Sequence, residues 1–357
     1  MNSCNKLKSP NVPFLGVSHL LDLLADVGVE NFLLGLAEYI QQDFMRWDEF
    51  DKSPRYASHS EEGVIELMPT SDGNNFSFKY VNGHPKNTLK GLQTVTAFGV
   101  LADVDSGYPL LISEMTVLTA LRTAATSALV AKYLAPANSS VLALIGNGAQ
   151  SEFQALAFKA LLGITQVKLF DIDRSASIKC YENLKDKGLD VEICLSAQEA
   201  IEGAHIITTC TADKCNATIL TDEMVANTVH INAIGGDCPG KTELDKNLLL
   251  RGDVFVEYEP QTRIEGDIQQ LDASSFVTEI HRVISGLAPG RTVAQQLTIF
   301  DGVGFAVEDF SALRFVRDLM QQSPHQQKLD LLANPKDPRN LFGLLANSQK
   351  TSLRQAS

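Results

Sequence analysis

The segment Val141-Leu-Ala-Leu-Ile-Gly146-Asn147-Gly148-Ala149-Gln150-Ser151-Glu constrains the fold more than any other stretch of the chain. A short, continuously apolar run leads into a glycine-rich loop, and residues 151–162 after the loop read as a helix. An apolar run of this length bounded by glycine is the pattern of a strand covered on both faces, as in a parallel sheet. Gly146 permits the tight turn, Gly148 lets a pyrophosphate approach the backbone, and the helix N-terminus favours its negative charge. Ser151 stands where the G-x-G-x-x-G pattern has its third glycine and is small enough for close helix–strand packing. Asp171 closes the next apolar run, 23 residues beyond Gly148 (171 − 148). A carboxylate there accepts hydrogen bonds from ribose hydroxyls and repels a 2′-phosphate, which favours NAD over NADP; the nearby Arg174 weakens that preference. The alternative is a structural strand–helix turn followed by a surface aspartate.

The alternation continues to about residue 258. Apolar, β-branched runs at 167–171, 191–195, 205–211, 228–234 and 254–258 are separated by helical stretches such as 174–187, which Gly188 ends. This repetition predicts a parallel, doubly wound sheet. The preceding chain mixes elements. It shows an amphipathic helix over 17–50 broken near Gly28, strands at 64–68, 76–80, 95–103 and 108–112, and a long helix over 113–134 with Pro136 beyond its end. Ala102-Asp-Val-Asp-Ser-Gly-Tyr108 marks a hairpin turn between the last two strands. A helix over 307–322 follows Thr298-Ile-Phe-Asp-Gly-Val-Gly304. The last 35 residues, polar and punctuated by proline, are expected to pack on the first domain or to be partly disordered. The expected organisation is a Rossmann-type domain, residues 123–310, inserted between residues 1–122 and 311–357 of a second, α+β domain.

A length of 357 residues suits about two domains. The net charge of −13 and the absence of a dense Lys/Arg cluster argue against a nucleic acid or an anionic membrane as partner. No run approaches the 18 apolar residues of a membrane span, and the early apolar run is broken by Asp22 and Asp26, unlike a secretory leader. The six cysteines, Cys4, Cys180, Cys194, Cys210, Cys215 and Cys238, include no C-x-x-C pair and read as reduced, buried thiols, so a cytoplasmic location is expected. His59 and His84 are not at metal spacing, and no metal is expected.

Outside the dinucleotide module, polar residues interrupt apolar strands: Glu66 within Val64-Ile-Glu-Leu-Met68, and Lys79 within Phe76-Ser-Phe-Lys-Tyr-Val81. Asp237 follows Ile234-Gly-Gly at the C-terminal edge of the expected sheet, where ligands bind in open α/β folds. Arg55 and Arg122 flank the strands. Each has a bland alternative: Glu66 and Lys79 on the solvent side of an amphipathic strand, Arg122 as a surface helix cation, Asp237 as a turn former. Pattern alone leaves an NAD-linked enzyme of unspecified substrate.

Longer stretches go further. Lys52-Ser-Pro-Arg-Tyr-Ala-Ser-His-Ser60, Gly63-Val-Ile-Glu-Leu-Met-Pro69, Phe78-Lys-Tyr-Val-Asn-Gly-His-Pro85, Ala120-Leu-Arg-Thr-Ala-Ala-Thr126, Gly235-Gly-Asp-Cys-Pro-Gly-Lys-Thr-Glu-Leu244 and Val256-Glu-Tyr-Glu-Pro-Gln-Thr-Arg-Ile-Glu-Gly266 resemble the ornithine cyclodeaminase family, which includes μ-crystallin-type ketimine reductases and some alanine dehydrogenases. The resemblance spans residues 17–320. It implies an α/β fold: a Rossmann-type doubly wound NAD-binding domain plus an α+β substrate-binding and dimerisation domain. It implies that Arg55, Lys79 and Arg122 clamp a substrate α-carboxylate, that Glu66 handles the α-amino proton, and that Asp237 acts as base for a side-chain amine. It places Thr94, Arg122, Gly146, Asn147, Gly148, Ala149, Gln150, Asp171, Thr209 and Asn232 in the NAD site, with Thr123 and Val303 towards the nicotinamide. The implied reaction converts L-ornithine to L-proline and ammonia by hydride transfer to tightly held NAD⁺, cyclisation, ammonia loss and hydride return. The alternatives are an NAD(P)-dependent amino-acid dehydrogenase, a cyclic ketimine reductase, a lysine cyclodeaminase, or a crystallin-like binding protein without turnover. A homodimer is implied, and the strands between 64 and 112 are consistent with a sheet that needs a partner.

Overall fold

A computed structural model describes residues 11–212, 218–322 and 327–345. The first sheet contains β1 (Asn11–Leu15), β2 (Tyr56–His59), β3 (Val64–Ser71), β4 (Asn75–Gly83), β5 (Val95–Asp103) and β6 (Pro109–Glu114). Strands β2 to β6 run antiparallel in sequence, and β1 adds parallel to β6. The N-terminal helix divides into α1 (Val17–Val27) and α2 (Val29–Met45) at Gly28, whose φ of +83° lies in the left-handed region. Helix α3 (Thr116–Leu134) begins three residues later than the pattern predicts, because Ser113 and Glu114 still belong to β6. The Glu114 carboxylate accepts the N–H groups of Thr116 (2.9 Å), Val117 (3.1 Å) and Leu118 (3.0 Å), satisfying the open donors of the first turn.

The period-two pattern of β3 is inverted relative to a soluble edge. Glu66 and Met68 face inward, whereas Ile65 and Leu67 are exposed. The solvent-side readings of Glu66 and Lys79 are therefore wrong, and so is the surface reading of Arg122, which is buried.

The second sheet is entirely parallel. Its strands are β7 (Val141–Ile145), β8 (Gln166–Phe170), β9 (Asp190–Ile193), β10 (Ile206–Thr209), β11 (His230–Ala233), β12 (Asp253–Val256), β13 (Thr278–Glu279) and β14 (Thr298–Asp301), in the order β13-β12-β14-β11-β10-β7-β8-β9. The first six were legible in the sequence; β13, at two residues, is too short to show a period, and β14 was read only as the segment leading into the last helix. Around this sheet run α4 (Ser151–Leu162), α5 (Arg174–Leu184), α6 (Ala197–Ile201), α7 (Lys246–Arg251), α8 (Glu259–Glu265) and α9 (Ile280–Ile284). Helix α5 is shorter than expected, since the chain turns before Gly188 (φ +70°).

Helix α10 (Ala306–Gln322) returns the chain to the first sheet, where it packs across the inner face of β3 to β5. The tail then adds β15 (Gln327–Asp330) antiparallel to β1, so this part of the tail does pack on the first sheet. None of Cys180, Cys194, Cys210 and Cys238 is in a disulfide, and all but Cys210 are fully buried; Cys4 and Cys215 lie outside the described residues.

Candidate active site

The strand order reverses at β7, which has β8 on one side and β10 on the other. Ligands bind at the carboxyl ends of strands at such a switch point. The loop after β7 is built for one. Gly146 has φ +92°, and a Cβ there would stand 2.8 Å from the Cys210 carbonyl oxygen, so only glycine lets β7 end against the chain leaving β10. Gly148 has nothing within 4 Å of where its Cβ would be, leaving open space over its backbone. The Asn147 side chain turns inward, donating to Leu144 O (3.2 Å) and accepting from Ser177 Oγ (2.7 Å). Gln150 likewise turns away, donating to Ala120 O (3.0 Å) on α3. Ser151 Oγ ties the helix start to Gly148 O (2.9 Å). The outward surface of this loop is therefore backbone, with Gly148 and Ala149 exposed.

Asp171, just past β8, accepts the Asn147 N–H (2.6 Å) and the Asp173 N–H (2.8 Å), one on each oxygen, and each oxygen retains capacity for a hydroxyl donor. Thr209 at the end of β10 and Asn232 in β11 are fully buried, and Thr209 Oγ1 and Asn232 Oδ1 have no hydrogen-bond partner among the described residues. Open backbone at a helix start, a strand-end carboxylate and unsatisfied buried oxygens fit a dinucleotide. Thr123, on α3, lines a small cavity with Arg122, Ile234, Gly302 and Gly304. Thr94 lies immediately before β5, where its carbonyl accepts the His84 N–H (2.8 Å). His84 packs its ring against Gly63, and His59 is exposed on β2.

Two clusters of buried charge meet at Val303 and Gly304. In the first, Asp309 in the opening turn of α10 bridges two cations: its Oδ2 lies 2.8 Å from Lys79 Nζ on β4, and its Oδ1 accepts from Arg122 Nε (2.9 Å) on α3. Arg122 Nη1 also donates to Glu308 Oε2 (2.6 Å). Burial pulls the Lys79 amine down to about 8, with the Arg122 charge adding to the fall and Asp309 opposing it. Burial pushes the Glu308 carboxyl up to about 8 against the pull of Arg122. In the second cluster, Arg55 lies between Glu66 (Nη1–Oε2 3.1 Å) and Glu265 (Nε–Oε2 3.0 Å), and its Nη2 donates to the carbonyls of Val303 and Gly304 (2.6 Å each). Burial works against the Arg55 charge, but Glu66 and Glu265 outweigh it and hold its pKa above the ordinary value. Burial pushes Glu265 up to about 7.

The joint between the clusters is rigid. Glu257 accepts the N–H groups of Gly304 (2.9 Å) and Val303 (3.3 Å), and Gln261 Nε2 donates to Gly304 O (2.9 Å). Gly304 has φ +76°, and a Cβ there would stand 2.7 Å from Arg122 Nη1. Asp237 stands apart from these buried groups: its side chain is 57% exposed and 3.4 Å from Lys241 Nζ. Its charge nevertheless reaches Arg55 and Glu265.

The structure thus brings together Arg55, Glu66, Lys79, Arg122 and Val303, with Asp237 at the margin. It adds Glu257, Glu265, Glu308 and Asp309, to which the sequence reading assigned no role. Of these, Glu257 left a local signal, directly after an apolar strand, whereas Glu265, Glu308 and Asp309 are set apart only by their burial in the fold.

Fold and site define a class of protein: a Rossmann-type dinucleotide-binding protein whose cleft is lined by paired charges from a second sheet. Residues 17–324 match the ornithine cyclodeaminase/mu-crystallin family, and the chain belongs to it. An ornithine cyclodeaminase of Agrobacterium fabrum is 63% identical over 338 residues, covering 95% of this chain and 96% of that protein. Among solved structures, a lysine cyclodeaminase studied for its recognition of L-lysine, L-ornithine and L-2,4-diaminobutyric acid superposes with a TM-score of 0.86 at 28% identity, covering 92% of this chain and 98% of the other. An archaeal alanine dehydrogenase dimer with bound NAD has a TM-score of 0.81 at 29% identity, covering 89% and 99%.

Proposed function

We propose that this chain is an NAD-dependent ornithine cyclodeaminase, converting L-ornithine to L-proline and ammonia. The observation that carries the reading is the pair of opposed charge clusters about Val303 and Gly304. One carries two cations, Lys79 and Arg122, suited to an α-carboxylate; the other gathers Glu66, Glu265 and Asp237 around the single cation Arg55, suited to an acid with two amines. The 63% identity to an ornithine cyclodeaminase over almost the whole chain points the same way.

In this reading the Gly148–Gln150 backbone and the start of α4 hold the pyrophosphate, Asp171 takes the ribose hydroxyls, and Thr209, Asn232, Thr123 and Val303 line the remaining path. Bound NAD supplies reversible hydride acceptance at the substrate α-carbon. The chain's residues position and move protons. Lys79 and Arg122 orient the carboxylate through charge-assisted hydrogen bonds. Glu66, which meets Arg55 through Oε2, takes the α-amino proton. Asp237 removes a proton from the distal ammonium, whose unperturbed pKa near ~10.4 otherwise leaves no lone pair for ring closure. Thr94, immediately before β5, is retained as a candidate for the NAD site.

We also place residues 123–310 in the NAD-binding domain and residues 1–122 and 311–357 in the substrate-binding and dimerisation domain, with α3 and α10 crossing between them. The homodimer is proposed on the outer face of the first sheet. There Leu67, Tyr80 and Phe98 form one cross-strand row, with the Tyr80 and Phe98 rings stacked at 5.1 Å, and Pro69, Phe78 and Val100 form the next. Such a contiguous apolar face is the mark of an interface. No described helix is long and apolar enough to cross a membrane. The buried, unbridged thiols support a cytoplasmic location.

The test is incubation of the purified protein with L-ornithine and catalytic NAD⁺. Equal proline and ammonia, many turnovers per NAD⁺ and no accumulation of NADH are expected. Stoichiometric NADH with an oxo-acid product would instead make the protein a dehydrogenase.

A further inference from the structure

We infer that Glu265 is a second anion for the distal ammonium of the substrate, acting beside Asp237 to select amino acids that carry a second amine; the inference rests on the cyclodeaminase reading above. Asp237 alone is poorly placed for this. Its side chain is 57% exposed and is paired with Lys241 at 3.4 Å, so solvent and a neighbouring ammonium both weaken its hold on another cation. Glu265 is free of the first handicap, and the cation beside it is divided between two acids. Its side chain is 6% exposed, and its one close cation is Arg55, which it shares with Glu66.

The contact with Arg55 is also incomplete. Glu265 Oε2 lies 3.0 Å from Arg55 Nε, yet neither atom makes a hydrogen bond, because the N–H is not aimed at the oxygen. A buried carboxylate oxygen without a donor is destabilising, whereas a primary ammonium brings three donors. Glu66 is already bonded to Arg55 Nη1, and the remaining Nη2 is taken by the two carbonyls of the Val303–Gly304 joint. Arg55 therefore neutralises one of the carboxylates around it and cannot satisfy Glu265. The groups that face Glu265 are Arg55, Glu66, Asp237 and Glu257. Burial among three other acids raises its pKa to about 7, so its charge, and with it the hold on the ammonium, is present above that pH and lost below it.

The test uses the full-length enzyme with NAD⁺ and two ligands: L-ornithine, and L-norvaline, which has the same carbon chain without the δ-amine and is read as a competitive inhibitor. For Glu265→Gln, KM for ornithine should rise about tenfold or more, the value of one charge-assisted hydrogen bond, while Ki for norvaline stays within about threefold. A variant that weakens both ligands equally, or neither, overturns the inference. Should the variant fail to fold, the wild-type enzyme decides: the ratio of KM for ornithine to Ki for norvaline must rise between pH 8 and pH 6, and a flat ratio overturns it. Wild-type enzyme that makes no proline from ornithine refutes the underlying function instead, which keeps the two failures distinct.

Discussion

Asp309 is the residue on which the proposed carboxylate clamp depends. It contacts Lys79 at 2.8 Å and Arg122 at 2.9 Å, and all three side chains are buried. Asp309→Asn keeps the shape and removes the charge. Losing one partner of a buried ion pair costs about 3–5 kcal/mol, because the other charge is left uncompensated. Arg122 keeps the Glu308 carboxyl as a hydrogen-bond acceptor at 2.6 Å whether or not that group is ionised, so the greater loss falls on Lys79. That amine already titrates near 8 because of burial and Arg122. Without Asp309 its pKa drops further, and Lys79 sheds its proton rather than remain charged and alone. The stability loss is thereby held near the low end, about 3 kcal/mol, or a fall in Tm of roughly 6 °C or more. A neutral Lys79 also removes one charged donor from the clamp, about 1.5–3 kcal/mol, so KM for ornithine should rise roughly 10- to 100-fold with a smaller change in kcat. Calorimetry and steady-state proline formation read both effects. The ratio of the variant's KM to that of the wild type should narrow from pH 7.5 to pH 6, as Lys79 regains its proton. A variant with wild-type Tm and KM, or a ratio that widens on acidification, would refute the reasoning.

Three further outcomes are expected. Gly148→Ala should leave the Tm of the cofactor-free protein unchanged, since nothing lies within 4 Å of the new Cβ, but should weaken NAD binding about tenfold or more by titration calorimetry; Gly146→Ala, with φ +92° and a Cβ 2.8 Å from Cys210 O, should lower both. The raised carboxyls Glu265 and Asp267 (each about 7) and Glu308 (about 8) contribute stability that is full below the ordinary carboxylate range and lost as pH rises through 7 to 8. The depressed Lys79 acts oppositely but only above about 8, so Tm should fall between pH 6 and pH 8, and a rise would contradict these assignments. Phe98→Glu, a charge placed in the apolar row with Leu67 and Tyr80, should convert a dimer into a monomer in analytical ultracentrifugation.

The sequence carried the dinucleotide half of the molecule well. The Gly146–Gly148 loop and Asp171 lie where strand, loop and helix patterns put them, because a parallel strand buried on both faces leaves a short apolar run that the following glycines mark as a strand rather than a helix. The first sheet was harder for a physical reason. A period of two assigns residues to two faces but does not say which face is inside. In β3 and β4 Ile65, Leu67 and Phe76 face out while Glu66, Ser77 and Lys79 face in beside Met68 and Val81, so Glu66 and Lys79 look like solvent-side residues until α10 is seen lying over them. Glu308 and Asp309 were masked differently. Acids in the first turn of a helix are ordinary partners of the helix dipole, and only tertiary contact with Lys79 and Arg122, from β4 and α3, reveals another use. Glu265 sits at the end of a short helix, where nothing local separates it from a surface acid.

Pre-pairing of the charges also accounts for selectivity between amino acids. A site that held bare cations or bare carboxylates in a dry cleft would be unstable before any ligand arrived. Here each cation already holds an acid, and a substrate changes the balance only by its own charges. Below about pH 8, with Glu308 protonated, Lys79 and Arg122 exceed Asp309 by one positive charge, which one α-carboxylate matches. Glu66, Glu265 and Asp237 exceed Arg55 by two negative charges above about pH 7, and Lys241 compensates part of the charge on Asp237. An amino acid with one ammonium leaves that side under-neutralised, whereas ornithine, with one carboxylate and two ammonium groups, matches both sides. On the proposed reading of the site, a preference for a diamino acid follows from the charge balance of the chain's own residues, before any contact with the length of the side chain is considered.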